Sequence, residues 1–315
     1  MEQSAHEPDI DPNDLLIFAR VAELGSFSRA AERLGLPKST VSRRLAALEQ
    51  RMGERLLLRT TRRQTLTELG LQLLEHAHQV VAEVAAVSAL REQRQATPSG
   101  RLRVSMPSDF ANLLLADSLA AFMALHPAIS LELDLSPRRV DLLGEGFDVA
   151  VRMGDLPDDA LLVASKLAVF THSLYASPTY LAAHGDPQTP DDLAHHTAVR
   201  LMRGNGEAAG WTLLKGAERW EAVPVGRLSA NSPEMLMRLA RAGAGVAALP
   251  DGFAQSAVRE GALRRVLPGW QLPSSTAWAV YPGRKLMPPK TRALVDMLQV
   301  ALSGCSRQLP RSAGA

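Results

Sequence analysis

The clearest candidates for chemistry in this 315-residue chain are basic and small hydroxyl side chains that open one predicted helix. They follow a proline and are Lys38, Ser39, Thr40, Ser42 and Arg43. Lysine and arginine can donate to guanine O6 and N7, and serine or threonine can contact bases or phosphates. A helix with such residues on one side and a core face on the other can enter a DNA major groove. The alternative is that Ser39 only caps the helix and that Arg43 is simply solvated.

Three predicted helices hold these side chains in place. The first begins at Asp14, and the second covers 29–34 behind a serine cap at Ser26 or Ser28. A glycine ends the second helix, and the third covers 38–51. Apolar residues recur along the third helix at helical spacing and should face a core; they are Val41, Leu45 and Leu48. The arrangement predicts a helix-turn-helix.

A hairpin and a long helix are predicted next. Short strands over 56–59 and 64–67 predict a hairpin with arginines at its tip. Thr67 can cap a helix that runs to about 95, which at 1.5 Å per residue would reach roughly 40 Å. A helix of that length with one apolar stripe usually pairs with another helix, and burial against its own body is the alternative.

Charge is distributed unevenly along the chain. Positions 13–66 carry eleven Lys and Arg against five Asp and Glu, a net charge of +6, whereas the remainder carries −4 and the whole chain +2. A basic module on a mildly acidic body favours a polyanion partner, with chance clustering of surface arginine as the alternative.

The lone Cys305 excludes an intramolecular disulfide and suits a reducing cytoplasm. The polar N-terminus is unlike a signal peptide, and no apolar run approaches the roughly 20 residues of a membrane span.

After a small, polar linker at 96–100 the pattern changes to alternating strands and helices. The first predicted elements are, in order, a strand over 101–105, a helix over 113–125, a strand over 129–135, a helix over 140–145 and a strand over 148–152. The alternation resumes near 167 and ends in a helix over 290–302. It predicts a mostly parallel sheet with helices on its faces, divided into two α/β lobes because the region is too long for one small sheet.

Other polar signals do not indicate a catalytic or metal site. His195 and His196 are adjacent in a predicted polar surface loop, and His76 and His78 are two apart on a helix, so their side chains point in different directions. The sequence lacks a glycine-rich phosphate loop, a nucleophile elbow and paired zinc-ligand spacing. We therefore expect neither an enzyme nor a cofactor.

The order and spacing of motifs from about 15 to 302 resemble the LysR-type transcriptional regulators. In the first part the motifs are Gly25-Ser26-Phe27, Ala30-Ala31, Val41-Ser42 and Leu66-Thr67-x-x-Gly70. In the second part they are VDLLGEGFDVAVRMG at 140–154, Ala176-Ser177-Pro178-x-Tyr180-Leu181, Asn231-Ser232 and Ala242-Gly243-x-Gly245-Val246. Each motif is weak alone, and their common order carries the resemblance.

The resemblance implies an α/β protein with a winged helix-turn-helix, a linker helix and a two-lobed effector domain like the type 2 periplasmic binding proteins. The implied divisions are a disordered extension at 1–13, the DNA-binding domain at 14–66, a dimerising linker helix at 67–95, a hinge at 96–100, the effector-binding domain at 101–302 and a tail at 303–315. Lobe I would comprise about 101–167 and 272–302, and lobe II about 168–271.

The resemblance also implies which residues meet DNA. Lys38, Ser42 and Arg43 match family positions on the recognition helix, and Arg62 matches a wing position that reaches the minor groove, where narrow A·T tracts attract arginine. Lysine at 38 replaces the glutamine of many relatives, which favours guanine over adenine. The other wing arginines can bind phosphate or merely solubilise the turn. The expected DNA-binding set is Ser28, Lys38, Ser39, Thr40, Ser42, Arg43, Arg59, Arg62 and Arg63.

Side chains that follow the predicted strands should face a cleft between the lobes, where such folds place ligands. Hydroxyl groups and helix N-termini bind anions, so a carboxylate-bearing effector is expected. For Arg152 the alternative is a structural salt bridge to Asp148 or Asp155. The expected effector-binding set is Met106, Pro107, Ser108, Ser136, Arg152, Met153, Asn231 and Ser232.

Together these features imply a cytoplasmic regulator of transcription whose effector is an organic acid or an aromatic compound. Its implied partners are double-stranded DNA at partially palindromic sites, RNA polymerase if it is an activator, and other copies of itself. The copies would form a homodimer or homotetramer through the linker helix and the effector domains, with no membrane involved. One alternative is a cytoplasmic solute-binding protein without gene regulation, against which the fused basic module argues. An enzyme built on the two lobes is the other alternative.

Overall fold

The computed structural model describes residues 10–59, 64–93, 97–136, 138–156, 161–203, 206–283 and 287–303. Its α-helices are α1 (Pro12–Leu24), α2 (Phe27–Leu34), α3 (Lys38–Met52), α4 (Glu68–Gln93), α5 (Ser108–Phe110), α6 (Ala116–Leu125), α7 (Pro178–His184), α8 (Pro233–Arg241), α9 (Asp251–Arg259) and α10 (Pro289–Ser303). A π-helical stretch, Ala111–Leu115, joins α5 to α6, and a 3-10 helix covers Pro190–His195.

The strands are β1 (Leu57–Arg59), β2 (Gln64–Leu66), β3 (Gly100–Ser105), β4 (Ile129–Asp134), β5 (Val149–Met153), β6 (Leu162–Ala176), β7 (Ala198–Leu201), β8 (Trp211–Lys215), β9 (Glu218–Ala222), β10 (Leu228–Ala230), β11 (Val246–Pro250), β12 (Arg264–Val266) and β13 (Leu272–Pro282). Those from β3 onwards, except the separate β8–β9 hairpin, form one nine-stranded sheet.

The first three helices and the β1–β2 hairpin form the predicted winged helix-turn-helix, which we call the reading module (residues 10–66). Asp11 caps α1 by accepting a bond from the Asn13 amide at 2.8 Å. Ser26, rather than Ser28, caps α2. Gly35 ends α2 with a φ of 64°, a left-handed conformation that costs least in glycine.

Apolar side chains from all three helices fill one core beneath the wing. The fully buried members include Phe18, Val41, Leu45, Leu48 and Leu56. The Glu49 carboxylate fixes the start of the wing because it accepts from the amides of Leu56 and Leu57, at 3.0 and 3.2 Å. The hydroxyl of Thr67 caps α4 by accepting from the Gly70 amide at 3.0 Å. A Cβ at Gly70 would overlap the Leu56 carbonyl, so glycine allows α4 to pack closely against the wing.

The large sheet is mixed, which corrects the expectation of a mostly parallel one. Its order is β10-β7-β11-β6-β13-β5-β3-β4, with β12 paired to β6. The outer strands of each lobe are parallel, in the pairs β3–β4, β3–β5, β7–β10 and β7–β11. The long strands β6 and β13 run antiparallel to each other and to their other neighbours, and they join the lobes. They are long, at 15 and 11 residues, because each crosses from one lobe to the other.

The helix predicted over 140–145 is wrong. Residues 142–146 form hydrogen-bonded turns instead, in which Glu145 N donates to Asp141 O at 2.9 Å and Phe147 N donates to Leu142 O at 2.9 Å. The sequence there is apolar enough for a helix, but Gly144 and Gly146 disfavour helix continuation. We call residues 141–147 the lobe I turn.

The helical run Ser108–Leu125 begins earlier than predicted and contains the π-helical stretch. It is long and apolar enough to cross a membrane by length and composition alone. Its side chains Phe110, Leu115 and Phe122 are nevertheless buried in the core of the effector domain. The run is therefore explained as a core helix.

Candidate functional site

The outer face of α3 carries cations that no acid of the described residues neutralises. Lys38 and Arg43 are exposed, and within the part of the chain that the structure describes neither forms an ion pair. Ser39 is exposed, and Thr40 and Ser42 are partly exposed on the same helix. The side chain of Ser39 does not cap α3. The structure thus brings all five predicted side chains of α3 to a surface where DNA could bind.

The next arginines of α3 have a different environment. Arg44 Nε donates to Asp14 Oδ1 at 2.5 Å, and its Nη2 pairs with Asp11. Arg51 Nη1 donates to the other Asp14 oxygen at 2.8 Å. Asp14 is only 2% exposed, so this carboxylate binds two guanidinium groups in a largely water-excluded site. Arg44 and Arg51 therefore hold α3 against α1.

The remaining predicted DNA residues lie around this helix. Ser28 is exposed in the first turn of α2. Arg59 is the last residue of β1, and Arg62 and Arg63 lie outside the described residues.

Five of the eight predicted effector residues line one small cavity of about 160 Å³ in lobe I. They are Met106, Pro107, Ser136, Arg152 and Met153. Ser108 lies beside it at the start of α5. The ends of β3, β4 and β5 supply most of the lining, as expected for a ligand site at the carboxyl ends of parallel strands.

Arg152 has no carboxylate partner among the described residues, and the predicted alternative of an ion pair with Asp148 or Asp155 is absent there. Its guanidinium donates to the carbonyls of Val140, at 3.0 Å, and Arg138, at 3.4 Å. Burial, and then the positive charge of Arg139, lower the pKa of Arg152. Asp148 instead contacts Lys290 Nζ at 3.4 Å. The cavity therefore holds a partly desolvated positive charge that lacks a counter-ion in the described chain.

Arg138 and Arg139 also line this cavity, and sequence reasoning did not select them. Arg138 is neutralised by Glu145 and Asp134. Arg139 is exposed, and among the described residues it forms no ion pair. Their position directly after the Ser136 loop was the available signal, because residues that follow a strand end share its edge of the sheet.

A second cavity of about 400 Å³ adjoins the first and shares Arg139 and Arg152 with it. Most of its other lining is apolar and consists of Val140, Leu142, Leu156, Leu162, Val163, Ala164 and Val280, with Asp141 as a further polar residue. The two arginines thus line both cavities and supply positive charge to each.

Ser232 and Asn231 lie elsewhere. Ser232 Oγ donates to Asp109 Oδ1 at 2.7 Å, and the Glu234 amide donates to the same oxygen at 2.8 Å. Asn112 Nδ2 also donates to Glu234 at 3.0 Å. These bonds link the start of the lobe I helix to the start of α8 in lobe II. Asn231 is exposed and lines neither arginine cavity.

The two histidine pairs lie in different environments. His196 is buried, with Nδ1 3.3 Å from the Tyr180 hydroxyl, which corrects the expectation of a surface loop. Burial lowers the pKa of His196. His78 Nε2 is 3.0 Å from Glu23 Oε1, whereas His76 is exposed. Among the described residues, no group of three or more His, Cys, Asp and Glu side chains could hold a metal ion.

Comparison with known protein families gives two matches. Residues 12–71 match the bacterial regulatory helix-turn-helix protein of the lysR family, and residues 95–303 match the LysR substrate binding domain. Together they cover nearly all of the described chain.

Individual proteins are similar over most of their length. An HTH-type transcriptional regulator of Xanthomonas campestris pv. campestris is 40% identical over 297 residues, which cover 93% of this chain and 86% of that protein. The regulator PtxR of Pseudomonas aeruginosa is 39% identical, with 91% of each chain covered. Among solved structures, CrgA of Neisseria meningitidis, a LysR-type transcriptional regulator, is 33% identical with a TM-score of 0.60 and covers 93% of this chain and 99% of its own.

Proposed function

Because the chain belongs to the LysR family of bacterial transcriptional regulators, we propose that it regulates genes in response to a small molecule. In this proposal it binds partially palindromic promoter sites through the outer face of α3, and its effector occupies the lobe I cavities at the inter-lobe cleft. The observation that carries the DNA part is the pair of exposed cations Lys38 and Arg43 on the outer face of α3, neither of which pairs with an acid among the described residues.

The DNA part is tested by footprinting and by the salt dependence of binding. A protein that neutralises several phosphates loses affinity steeply as salt rises. We expect a salt-sensitive, partially palindromic protected site upstream of the gene for this protein. If neither that region nor a genome-wide selection yields a protected site, DNA-dependent regulation by this chain is excluded.

Self-association through α4 is part of the proposal. Leu71 and Val87 of this helix are 56% and 65% exposed, so apolar surface along α4 is available to a second copy. Two paired subunits would present two recognition helices to two half-sites. Sedimentation of wild type and of a Leu71→Glu/Val87→Glu variant tests this, because the variant should shift toward monomer.

The proposal includes two further points. An activator of transcription would contact RNA polymerase in addition to DNA, and a regulator of this kind works in the cytoplasm.

We propose further that the effector is an organic acid with an apolar body, such as an aromatic ring. Arg139 and Arg152 would bind the carboxylate, since a guanidinium fork matches the two carboxylate oxygens. The apolar cavity of about 400 Å³ would take the remainder, and its volume lies in the usual range for small-molecule sites. The supporting observation is the half-buried Arg152 without an acidic partner among the described residues.

A thermal-shift comparison of benzoate with benzamide tests the effector class, because the two differ mainly in charge. A ligand at 100 times its dissociation constant adds about 2.7 kcal/mol to the free energy of unfolding. We expect stabilisation by benzoate or a related acid, none by the amide, and loss of the effect in Arg152→Met. Arg219→Met is the matched control, because Arg219 lies on the exposed β8–β9 hairpin, pairs with Glu221 of the same hairpin and lines neither cavity. Equal stabilisation by acid and amide would contradict an arginine-bound carboxylate.

The same measurements separate the alternative of a solute-binding protein without gene regulation. That protein would be stabilised by ligand but would show no sequence-specific DNA binding in the presence or absence of that ligand.

A further inference from the structure

The lobe I turn lies between the effector cavities and the reading module. On the cavity side, Arg152 Nη2 donates to the Val140 carbonyl at 3.0 Å. Arg138 Nη1 donates to Glu145 Oε1 at 2.6 Å, and the same carboxylate oxygen accepts from the Asp141 amide at 3.0 Å. Two arginines that line the cavities are therefore hydrogen-bonded here, Arg152 to the residue that precedes the turn and Arg138 to Glu145 within it.

On its other side the lobe I turn contacts α1 and α2. Arg20 Nη1 donates to two carbonyls of the turn, those of Leu143 at 3.0 Å and Gly144 at 2.5 Å. A Cβ at Gly144 would stand 2.8 Å from Glu23 Cγ, and a Cβ at Gly146 would overlap the Arg33 guanidinium. The absence of side chains at these two glycines allows the module to approach this closely.

Glu23 joins this contact to the linker helix. Its carboxylate is 3% exposed and binds Arg20 Nη1 at 3.0 Å through one oxygen and His78 Nε2 of α4 at 3.0 Å through the other. The module, α4 and the lobe I turn are thus connected through one buried acid. The chain connects α4 to lobe I covalently at 94–99. The contact through Glu23 and the lobe I turn is a second, non-covalent attachment between them, far from 94–99 in sequence.

We propose that the lobe I turn is a docking surface for the reading module of the same chain, so that the module, α4 and lobe I move as one body. The reading module fits this surface in charge and shape. The Arg20 guanidinium donates to two neighbouring carbonyls of the turn, and the two glycines leave space for Glu23 and Arg33. A change at Arg152 then reaches the reading module through Val140 and the adjoining turn, to which Arg20 donates. The proposal concerns this contact only and does not depend on the chemical class of the effector.

A disulfide across the contact tests the proposal in the full-length protein. In the variant Glu23→Cys/Gly144→Cys, made with Cys305→Ser, the Cβ at 144 would stand 2.8 Å from the present position of Glu23 Cγ, near which the sulfur of the other cysteine would lie. This proximity favours a disulfide. We expect an intrachain disulfide, found by peptide mapping, to form readily without DNA. The oxidised protein should keep the affinity of the reduced protein for its DNA site within about twofold, as expected if docking and DNA binding coexist.

Three results would overturn the proposal. One is a Glu23→Cys/Gly144→Cys pair that oxidises no faster than a Glu23→Cys/Gly269→Cys pair, whose glycine lies in lobe II. Another is a disulfide that links two chains, which would assign the surface to the module of a second copy. The third is an oxidised protein that no longer binds DNA, because the module would then have to leave the turn.

Arg20→Ala provides a second test if the Gly144→Cys substitution disturbs folding. Loss of a charge-assisted donor should speed hydrogen exchange at the Gly146 and Phe147 amides by roughly tenfold or more, since the turn loses its contact with α1. Arg29→Ala is the control, because Arg29 donates to the Leu24 carbonyl within the module at 2.5 Å and does not contact the turn. Unchanged exchange in Arg20→Ala would contradict docking through Arg20.

Discussion

Two arginine clusters of this protein differ in whether a carboxylate of the described residues neutralises them. In the reading module, Arg44 and Arg51 converge on the buried Asp14. In lobe I, Arg139 and Arg152 line the cavities without an acidic partner among the described residues. The first cluster is complete without a ligand and holds helices together. The second cluster keeps positive charge without an acidic partner among the described residues, although burial of that charge is unfavourable. An anion-binding site requires such a charge.

Asp14→Asn should have the largest effect on stability. The amide keeps the shape of the side chain but removes the anion from Arg51 and leaves Arg44 with the more exposed Asp11, which should cost about 2–4 kcal/mol after allowing for solvent exposure of the two arginines. Chemical denaturation followed by far-UV circular dichroism measures the loss. The four tryptophans all lie beyond position 210, so their fluorescence should report an effector domain of unchanged stability. A loss below about 0.5 kcal/mol would remove the structural role assigned to this cluster.

Arg152→Met should behave in the opposite way. Removal of the desolvated charge, which lacks an acidic partner among the described residues, should raise the free energy of unfolding. Loss of the hydrogen bonds to two carbonyls should lower it, so the net change should be less than about 1 kcal/mol in either direction. The same thermal denaturation with and without benzoate measures both stability and ligand response. A large destabilisation without ligand would mean that Arg152 is structural, as Arg44 is.

The smallest effect concerns His78. Its hydrogen bond to Glu23 raises the pKa of His78 above its usual value, with the charge of Asp141 acting in the same direction and burial and Arg20 acting against it. A raised folded-state pKa means that the bond contributes fully below the unfolded pKa of about 6.5 and is lost as pH rises through the folded pKa. The stability difference between wild type and His78→Gln should therefore be larger at pH 6 than at pH 8 in urea denaturation. An equal difference at the two pH values would contradict this.

The helical parts of the reading module could be predicted because their signals are local. Helical spacing of apolar residues identified α1 and α3, and Thr67 identified the start of α4. The same spacing placed Lys38 and Arg43 away from the core. Helical spacing could not show that Arg44 forms an ion pair whereas the adjacent Arg43 is exposed, since the partner of Arg44 is Asp14, thirty residues earlier in the sequence.

The effector domain was harder to predict because its decisive contacts are long-range. The turn at 141–147 has an apolar pattern that resembles a helix, and Arg20, more than a hundred residues away, binds its carbonyls. Ser232 was selected for the cleft from its place before α8, but its hydroxyl is bound to Asp109 in the other lobe. Sequence spacing reports which residues share a strand end, and it does not report which of them already have a partner.

The adjacent residues Arg43 and Arg44 allow the most direct test of the claim that partnered arginines hold the fold and unpartnered ones bind ligands. The measurement is the salt dependence of DNA binding, together with the unfolding free energy, for Arg43→Ala and Arg44→Ala. We predict that Arg43→Ala leaves stability within about 0.5 kcal/mol and reduces the salt slope by about 1. Arg44→Ala should destabilise the module and leave the slope of the folded protein unchanged. A reduced slope in Arg44→Ala with an unchanged slope in Arg43→Ala would contradict the account.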